Sequence, residues 1–136
     1  MQVVAFAPAR KSELEDAGGV LAEGFPMTSA YVEVLPAQIV VPFVLAVHTK
    51  AGIDFEPRRY IVAKSPEGER VGLLEFAWQW PDTPGVPVKF RVFVHEVPMW
   101  VTTAGVYEIG LADSPEGELE SVFPFPIFEN KPALNN

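Results

Sequence analysis

Three aromatic residues alternate along one stretch of the chain, at Phe76, Trp78 and Trp80. In a β-strand, side chains two residues apart point to the same face, so the three rings would form one row. Such a row suits either a stacking platform for sugars or bases or one wall of a hydrophobic core. We favour the core, because Glu75 and Gln79 occupy the opposite, polar face. Trp80 comes last, beside a Pro-rich loop, and we predict it to be the most exposed of the three.

The next apolar segment predicts a second wall of the same core. Between residues 88 and 97, apolar side chains share the even positions, which hold Val88, Phe90, Val92 and Val94. The odd positions begin with Lys89 and Arg91. We therefore predict that the even positions face inward. By the same alternation, Tyr107 and Ile109 of a later strand should also be buried.

Histidine is the residue type to consider first for a metal site, and the chain has two, His48 and His95. With a carboxylate such as Glu96 they supply the donors that a metal ion uses. However, neither His-x-His nor His-Glu-x-x-His occurs, and these are the spacings that direct two ligands at one ion. We expect no metal ligands and no cofactor. A metal-dependent enzyme at His48 and His95 is the weakest hypothesis.

Other catalytic arrangements also lack their motifs. No serine lies in Gly-x-Ser-x-Gly, the turn that exposes a hydrolase nucleophile, and the chain has no cysteine. Gly18-Gly19 has neither the spacing nor the lysine of a phosphate-binding loop. The paired carboxylates, such as Glu67 and Glu69, flank hairpin turns, where charged edges discourage aggregation. We therefore predict no catalytic residue, and hence that the protein is not an enzyme.

Helices have little room in this chain, because fourteen prolines and ten glycines recur every few residues. One window, Ser12 to Ala17, predicts a single helical turn or a loop, with Ser12 as N-cap and Glu15 three residues later. The rest predicts short strands between turn signals, over about residues 3–7, 20–27, 31–35, 39–48, 59–64, 71–80, 88–97, 105–112 and 119–125.

This order of strands predicts an all-β fold. We expect an immunoglobulin-like antiparallel two-sheet sandwich of about seven to eight strands, with a jelly roll or a partly closed barrel as the alternative. Residues 1–128 should form a single domain, and residues 129–136 a disordered tail. Ser-Pro-Glu-Gly occurs at 65–68 and again at 114–117, and both copies predict hairpin turns. Gly105-Val106-Tyr107 predicts a late strand whose tyrosine hydroxyl bonds back to a nearby loop.

Several motifs along the chain share their order with those of a known family. After an N-terminal apolar strand comes Gly-Gly-Val-Leu-Ala-Glu-Gly-Phe-Pro at 18–26, similar to a (D/G)-G-K-x-x-x-x-G-x-F opening without its lysine. A Val-rich strand at 39–48, a Pro-Glu-Gly hairpin at 66–68 and Gly-x-Tyr at 105–107 follow. Over nearly its whole length the chain thus resembles small bacterial β-sandwich domains of the DUF6941 type. That family has no established activity, so the resemblance implies a fold and no catalytic residues.

Charge and hydropathy limit the classes of partner. The formal net charge is −8, whereas nucleic-acid binding proteins usually present a basic face, so we expect no nucleic-acid partner. The longest apolar run, residues 39–47, is far shorter than the about 20 residues of a spanning helix, so we expect no membrane partner. Residues 2–7 are apolar but Pro8 and Arg10 follow at once, unlike a secretory leader. We therefore expect a cytoplasmic protein.

Three functions remain after these exclusions. The first is a non-catalytic interaction or structural domain that self-associates or binds a protein partner; the 49% hydrophobic composition and a strand at 39–48 that is apolar on both faces motivate it. The alternative is a small-molecule or carbohydrate-binding module with exposed aromatic residues, and the metal-dependent enzyme comes last. The candidate binding residues are Trp80, Trp100, Phe125 and Phe128. The last two belong to a Phe-Pro-rich segment at 123–128, where proline keeps the chain extended.

Overall fold

The computed structural model describes residues 1–130, which form ten β-strands and no helix. In chain order the strands are β1 (Gln2–Pro8), β2 (Lys11–Leu14), β3 (Val20–Glu23), β4 (Ala30–Val32), β5 (Ala37–Lys50), β6 (Arg58–Lys64), β7 (Arg70–Ala77), β8 (Val88–Val101), β9 (Gly105–Ala112) and β10 (Glu120–Glu129). The all-β prediction is confirmed. No helix in this part of the chain is long and apolar enough to cross a membrane.

The strands form two main sheets and one separate hairpin. One sheet has the order β1-β5-β8, the other β4-β10-β9-β6-β7, and β2 pairs with β3. All ladders are antiparallel except that between β4 and β10. The second sheet curls as in half a barrel, and its last strand, β7, comes into contact with β8 at the edge of the first sheet.

A glycine permits this contact between the two sheets. A Cβ atom on Gly72 of β7 would lie 2.6 Å from the carbonyl oxygen of Pro98 on β8. Pro98 has no backbone N–H to donate, which suits a strand at the edge of its sheet. The β7 and β8 edges therefore meet through bare backbone at this point, without a side chain between them.

The core lies between the two main sheets and takes alternate residues from their longer strands, such as β5, β9 and β10. Its largest fully buried side chains include Phe43, Leu45, Ile61, Tyr107, Ile109, Phe125 and Ile127. Of the side chains predicted to be inward, Phe76, Trp78, Tyr107 and Ile109 are buried, which confirms those assignments.

The predicted inward face of β8 is wrong. Val88 and Phe90 are exposed and Val92 is half-buried. The odd positions face the core instead, because β8 runs for 14 residues and Val97, Met99 and Val101 of its second half are all buried. As a set, the odd positions bury more apolar surface than the even ones. Lys89 occupies an odd position and therefore also points inward.

Two predictions at the chain's ends are also corrected. The segment Ser12 to Ala17 was predicted to be a helical turn or a loop. Its first part is a strand instead, because residues 11–14 form β2 and pair with β3. Gly18, with φ of +99°, lies in the reversal that joins these strands. Glu129 belongs to β10, and the Asn130 N–H donates to the Val32 carbonyl over 2.6 Å. The remainder of the predicted disordered tail, residues 131–136, lies outside the described residues.

Local turn chemistry is confirmed at three places. Between β6 and β7 the Gly68 N–H donates to the Ser65 carbonyl over 2.8 Å, and the second Ser-Pro-Glu-Gly turn closes in the same way from Gly117 to Ser114 over 3.0 Å. The buried Tyr107 hydroxyl donates to the Thr103 carbonyl over 2.7 Å, as expected of a tyrosine that bonds back to a nearby loop.

Candidate interaction surface

The four candidate binding residues divide into two buried and two exposed side chains. Trp80 is 3% exposed and Phe125 is fully buried, so neither is available to a partner, and both predictions are wrong. Trp100 is 48% exposed and Phe128 is 42% exposed. These two lie on different sheets, Trp100 on β8 and Phe128 on β10, and therefore do not form one site.

Trp80 is buried because the segment that follows β7 remains hydrogen-bonded to the rest of the fold. Its backbone N–H donates to the Phe55 carbonyl over 2.8 Å, and its ring packs on that of Trp78 with centroids 5.6 Å apart. Phe125 is buried because it pairs with Tyr107 across the β9–β10 ladder, on the inward face of that sheet. Phe128 lies on the outward face beside Tyr31 of β4, with ring centroids 5.6 Å apart.

The two histidines do not converge. In the β5–β8 ladder, His48 pairs with Phe90 and His95 pairs with Phe43. Phe43 points into the core and Phe90 points out of it, so the histidines lie on opposite faces of the same sheet. Among residues 1–130, no group of three His, Asp or Glu side chains is arranged to hold a metal ion.

His95 serves as an aromatic packing element. Its ring contacts those of Phe76 and Phe93, with centroid distances of 4.4 and 5.1 Å. Burial lowers the pKa of His95, because a charged imidazolium loses its hydration there. Its Nε2 atom is buried and has no hydrogen-bond partner within residues 1–130. The neutral ring therefore joins the Phe76–Trp78 stack (centroids 5.6 Å apart) and fills the seam between β7 and β8.

Lys89 joins three segments at one end of the molecule. Only 7% of the residue is exposed, and its Nζ atom donates to the Trp80 carbonyl over 2.5 Å and lies 3.0 Å from Asp82 Oδ1. The Asp82 carboxylate also accepts the Gly52 N–H, at 3.1 and 3.0 Å from its two oxygens. The hydrogen bond from the Gly52 N–H, which has the largest effect, and the one from Lys89 hold the pKa of Asp82 below its ordinary value. We call this arrangement the Lys89 clamp; it fixes the loops 51–57 and 81–87.

The outward face of β8 presents an aromatic side chain to solvent. Phe90 is 64% exposed and its ring lies 5.3 Å from that of His48 on β5. Apolar side chains lie beside it on the same outward face, and the polar Gln2 and Lys50 border them opposite His48 and Val88. Together they form what we call the Phe90 surface, consisting of Val4, Ala46, His48, Val88, Phe90 and Val92.

A second feature lies where β7 begins and β8 ends. It is an open groove of about 490 Å³, which we call the Trp100 groove; its lining includes Glu69, Arg70, Gly72, Leu73, Trp100 and Thr102. Unlike the Phe90 surface, it combines one aromatic ring with both signs of charge and a hydroxyl group.

Comparisons with known proteins do not extend this picture: no family model matches the chain, and no curated protein matches it. The sequence pattern missed Phe90, because its strand was assigned to the wrong face. It also missed the burial of Lys89, although the aromatic side chains around it and an acidic residue seven positions earlier were visible.

Proposed function

We propose that this protein is a non-catalytic interaction domain and that its Phe90 surface binds a second copy of the chain. The observation that carries the proposal is the exposure of Phe90, 64%, between Val88 and Val92 on the outward face of β8. Single exposed apolar residues are ordinary on proteins, but contiguous apolar areas commonly mark interaction sites. Phenylalanine is also among the residue types enriched in interfaces.

The charges at the Phe90 surface permit a second copy as the partner. The chain carries a formal net charge of −8, so two copies repel each other over much of their surface. None of the six residues of the Phe90 surface is a carboxylate. Two copies can therefore meet there without placing acidic groups against each other, and burial of Phe90 supplies the favourable term.

The rigidity of the surface supports the same proposal. Val88 and Phe90 flank Lys89 directly in the chain, and the Lys89 clamp holds that residue to Trp80 and Asp82. A surface already fixed before association loses less conformational entropy when a partner binds. This preorganisation favours recognition through β8 over recognition through a mobile loop.

The finer fold type belongs to the same proposal. An immunoglobulin-like sandwich is supported by the Tyr107–Thr103 hydrogen bond and by the core between two sheets. The alternative, a partly closed barrel, is favoured by the curl of the second sheet and by the contact of β7 with β8. The cytoplasmic location and the DUF6941-type resemblance stay predictions.

Sedimentation velocity over a range of protein concentrations tests the proposal. We expect the wild-type chain to form a dimer at micromolar concentrations and Phe90→Glu to remain a monomer, since the substitution would bury two carboxylates in the interface. Tyr31→Glu is the matched control, because Tyr31 is equally exposed but lies on the other sheet. A wild-type chain that stays monomeric on concentration, or a Phe90→Glu variant that dimerises as well as the wild type, would refute this proposal.

A further inference from the structure

The Trp100 groove lies far from the Phe90 surface, and its possible ligand does not depend on the dimer proposed above. Trp100 and Phe90 are ten positions apart on the same strand, which corresponds to about 33 Å at the usual rise of a β-strand. The groove is also built differently, with hydrogen-bonding groups beside one exposed ring. We propose that it binds a neutral saccharide of one or two sugar rings.

The aromatic ring supplies the first requirement of such a site. Trp100 is the exposed member of the three tryptophans, whereas Trp78 and Trp80 are buried in the core. An exposed indole offers a flat apolar face with negative character, and the C–H-bearing face of a sugar ring packs on it favourably. In the β5–β8 ladder Trp100 pairs with the exposed Gln38, so both residues lie on the same outward face of this sheet.

The lining of the groove supplies the other polar groups. Arg70 is held in place because its Nη1 atom donates to the Pro115 carbonyl over 3.2 Å and lies 3.9 Å from Glu116. A guanidinium group has five N–H donors in all, so further donors remain for a ligand. Glu69 adds a carboxylate acceptor that makes no ion pair within the described chain. Thr102 adds a hydroxyl group.

Charge balance selects a neutral ligand over an anionic one. Glu69 and Arg70 are the two charged residues of the lining, and the positive charge of Arg70 is already offset by Glu116 at 3.9 Å. A phosphate or carboxylate ligand would meet the Glu69 carboxylate, whereas vicinal hydroxyl groups can donate to a carboxylate and accept from a guanidinium at the same time. A saccharide satisfies both groups and uses the indole face.

The shape of the groove limits the size of the ligand and the affinity. Its volume of about 490 Å³ falls within the range of small-molecule sites. Gly72, against which Pro98 packs, forms a floor without a side chain. Because the groove is open to solvent, we expect weak binding, with a dissociation constant of about 0.1–1 mM.

The test is a titration of the full chain with cellobiose and, separately, with maltose. Intrinsic tryptophan emission should change saturably with at least one of them, and the change reports Trp100 because the other two indoles are buried. Saturation-transfer NMR on the sugar gives a second readout that does not depend on tryptophan. Trp100→Ala should abolish the NMR signal, and Trp100→Phe should retain weakened binding because it keeps an aromatic face.

Two further variants separate this site from others. Arg70→Gln should weaken binding about tenfold, since it removes a charged hydrogen-bond donor. Phe90→Glu should bind like the wild type whether or not it dimerises, so failure of the dimer proposal would leave this one intact. The proposal is overturned if neither sugar binds saturably up to about 20 mM, or if Trp100→Ala binds as well as the wild type.

Discussion

Gly72→Ala is the sharpest test of how the two sheets meet. The added methyl group would lie 2.6 Å from the Pro98 carbonyl oxygen, 3.1 Å from Ala63 Cβ and 3.3 Å from Met99 Cγ. The closest of these atoms is backbone and cannot rotate away, so β7 and β8 would have to separate. Overpacking of this kind costs about 1–3 kcal/mol. The smaller gain of up to about 1 kcal/mol from a stiffer unfolded chain only partly offsets it.

Urea unfolding followed by tryptophan emission measures this change, because the buried Trp78 lies beside the same seam. We expect a loss of about 1–2 kcal/mol, and a fall in Tm of about 3–5 °C for each kcal/mol in a chain of this length. Gly19→Ala is the control, since its new Cβ would meet only a glutamate oxygen at 3.4 Å. A Gly72→Ala variant as stable as Gly19→Ala would show that the sheets do not meet at this point.

Two further changes probe the core and its border. Because burial lowers the pKa of His95, the unfolded chain binds a proton there more readily, so stability should fall as pH drops below about 6.5. His95→Phe should flatten that part of a stability–pH curve measured by urea unfolding; a variant whose stability falls with pH as steeply as that of the wild type would contradict this assignment. Tyr107→Phe removes the hydrogen bond to Thr103 and should cost about 0.5–1.5 kcal/mol in the same assay. Tyr31→Phe, at an exposed position, should change stability by less than about 0.5 kcal/mol; equal losses for the two tyrosine variants would contradict this reasoning.

Features encoded by neighbouring residues were predictable from the sequence. A Ser-Pro-Glu-Gly tetrapeptide carries its own turn chemistry, since proline presets one dihedral angle and glycine tolerates the left-handed region, as Gly68 does with φ of +88°. Gly105 likewise has a positive φ, of +149°. The position and partner of Tyr107 follow from the same short motif.

Features that depend on distant partners were not predictable. The face of β8 was misjudged because its first seven residues favour one face and its last five favour the other, and only the opposing sheet decides between them. Lysine at an inward position looks unfavourable in the sequence, yet Asp82 and the Trp80 carbonyl satisfy its charge. Trp80 was expected to be exposed because it lies beside a Pro-rich loop, whereas its backbone partner, Phe55, lies 25 positions away and leaves no local signal.

The Lys89 clamp separates the loop 81–87 into anchored ends and a free tip. Asp82 is held at one end, and at the other the Pro87 carbonyl accepts the Ala51 N–H over 3.0 Å. The tip between them, residues 83–86, is exposed and closes its own turn from Val86 to Thr83 over 3.0 Å. Lengthening a surface loop costs only about 0.6 kcal/mol for each doubling. This tip is therefore the place where the chain can accept an inserted peptide, such as an epitope tag, without disturbing the sheets on which it stands.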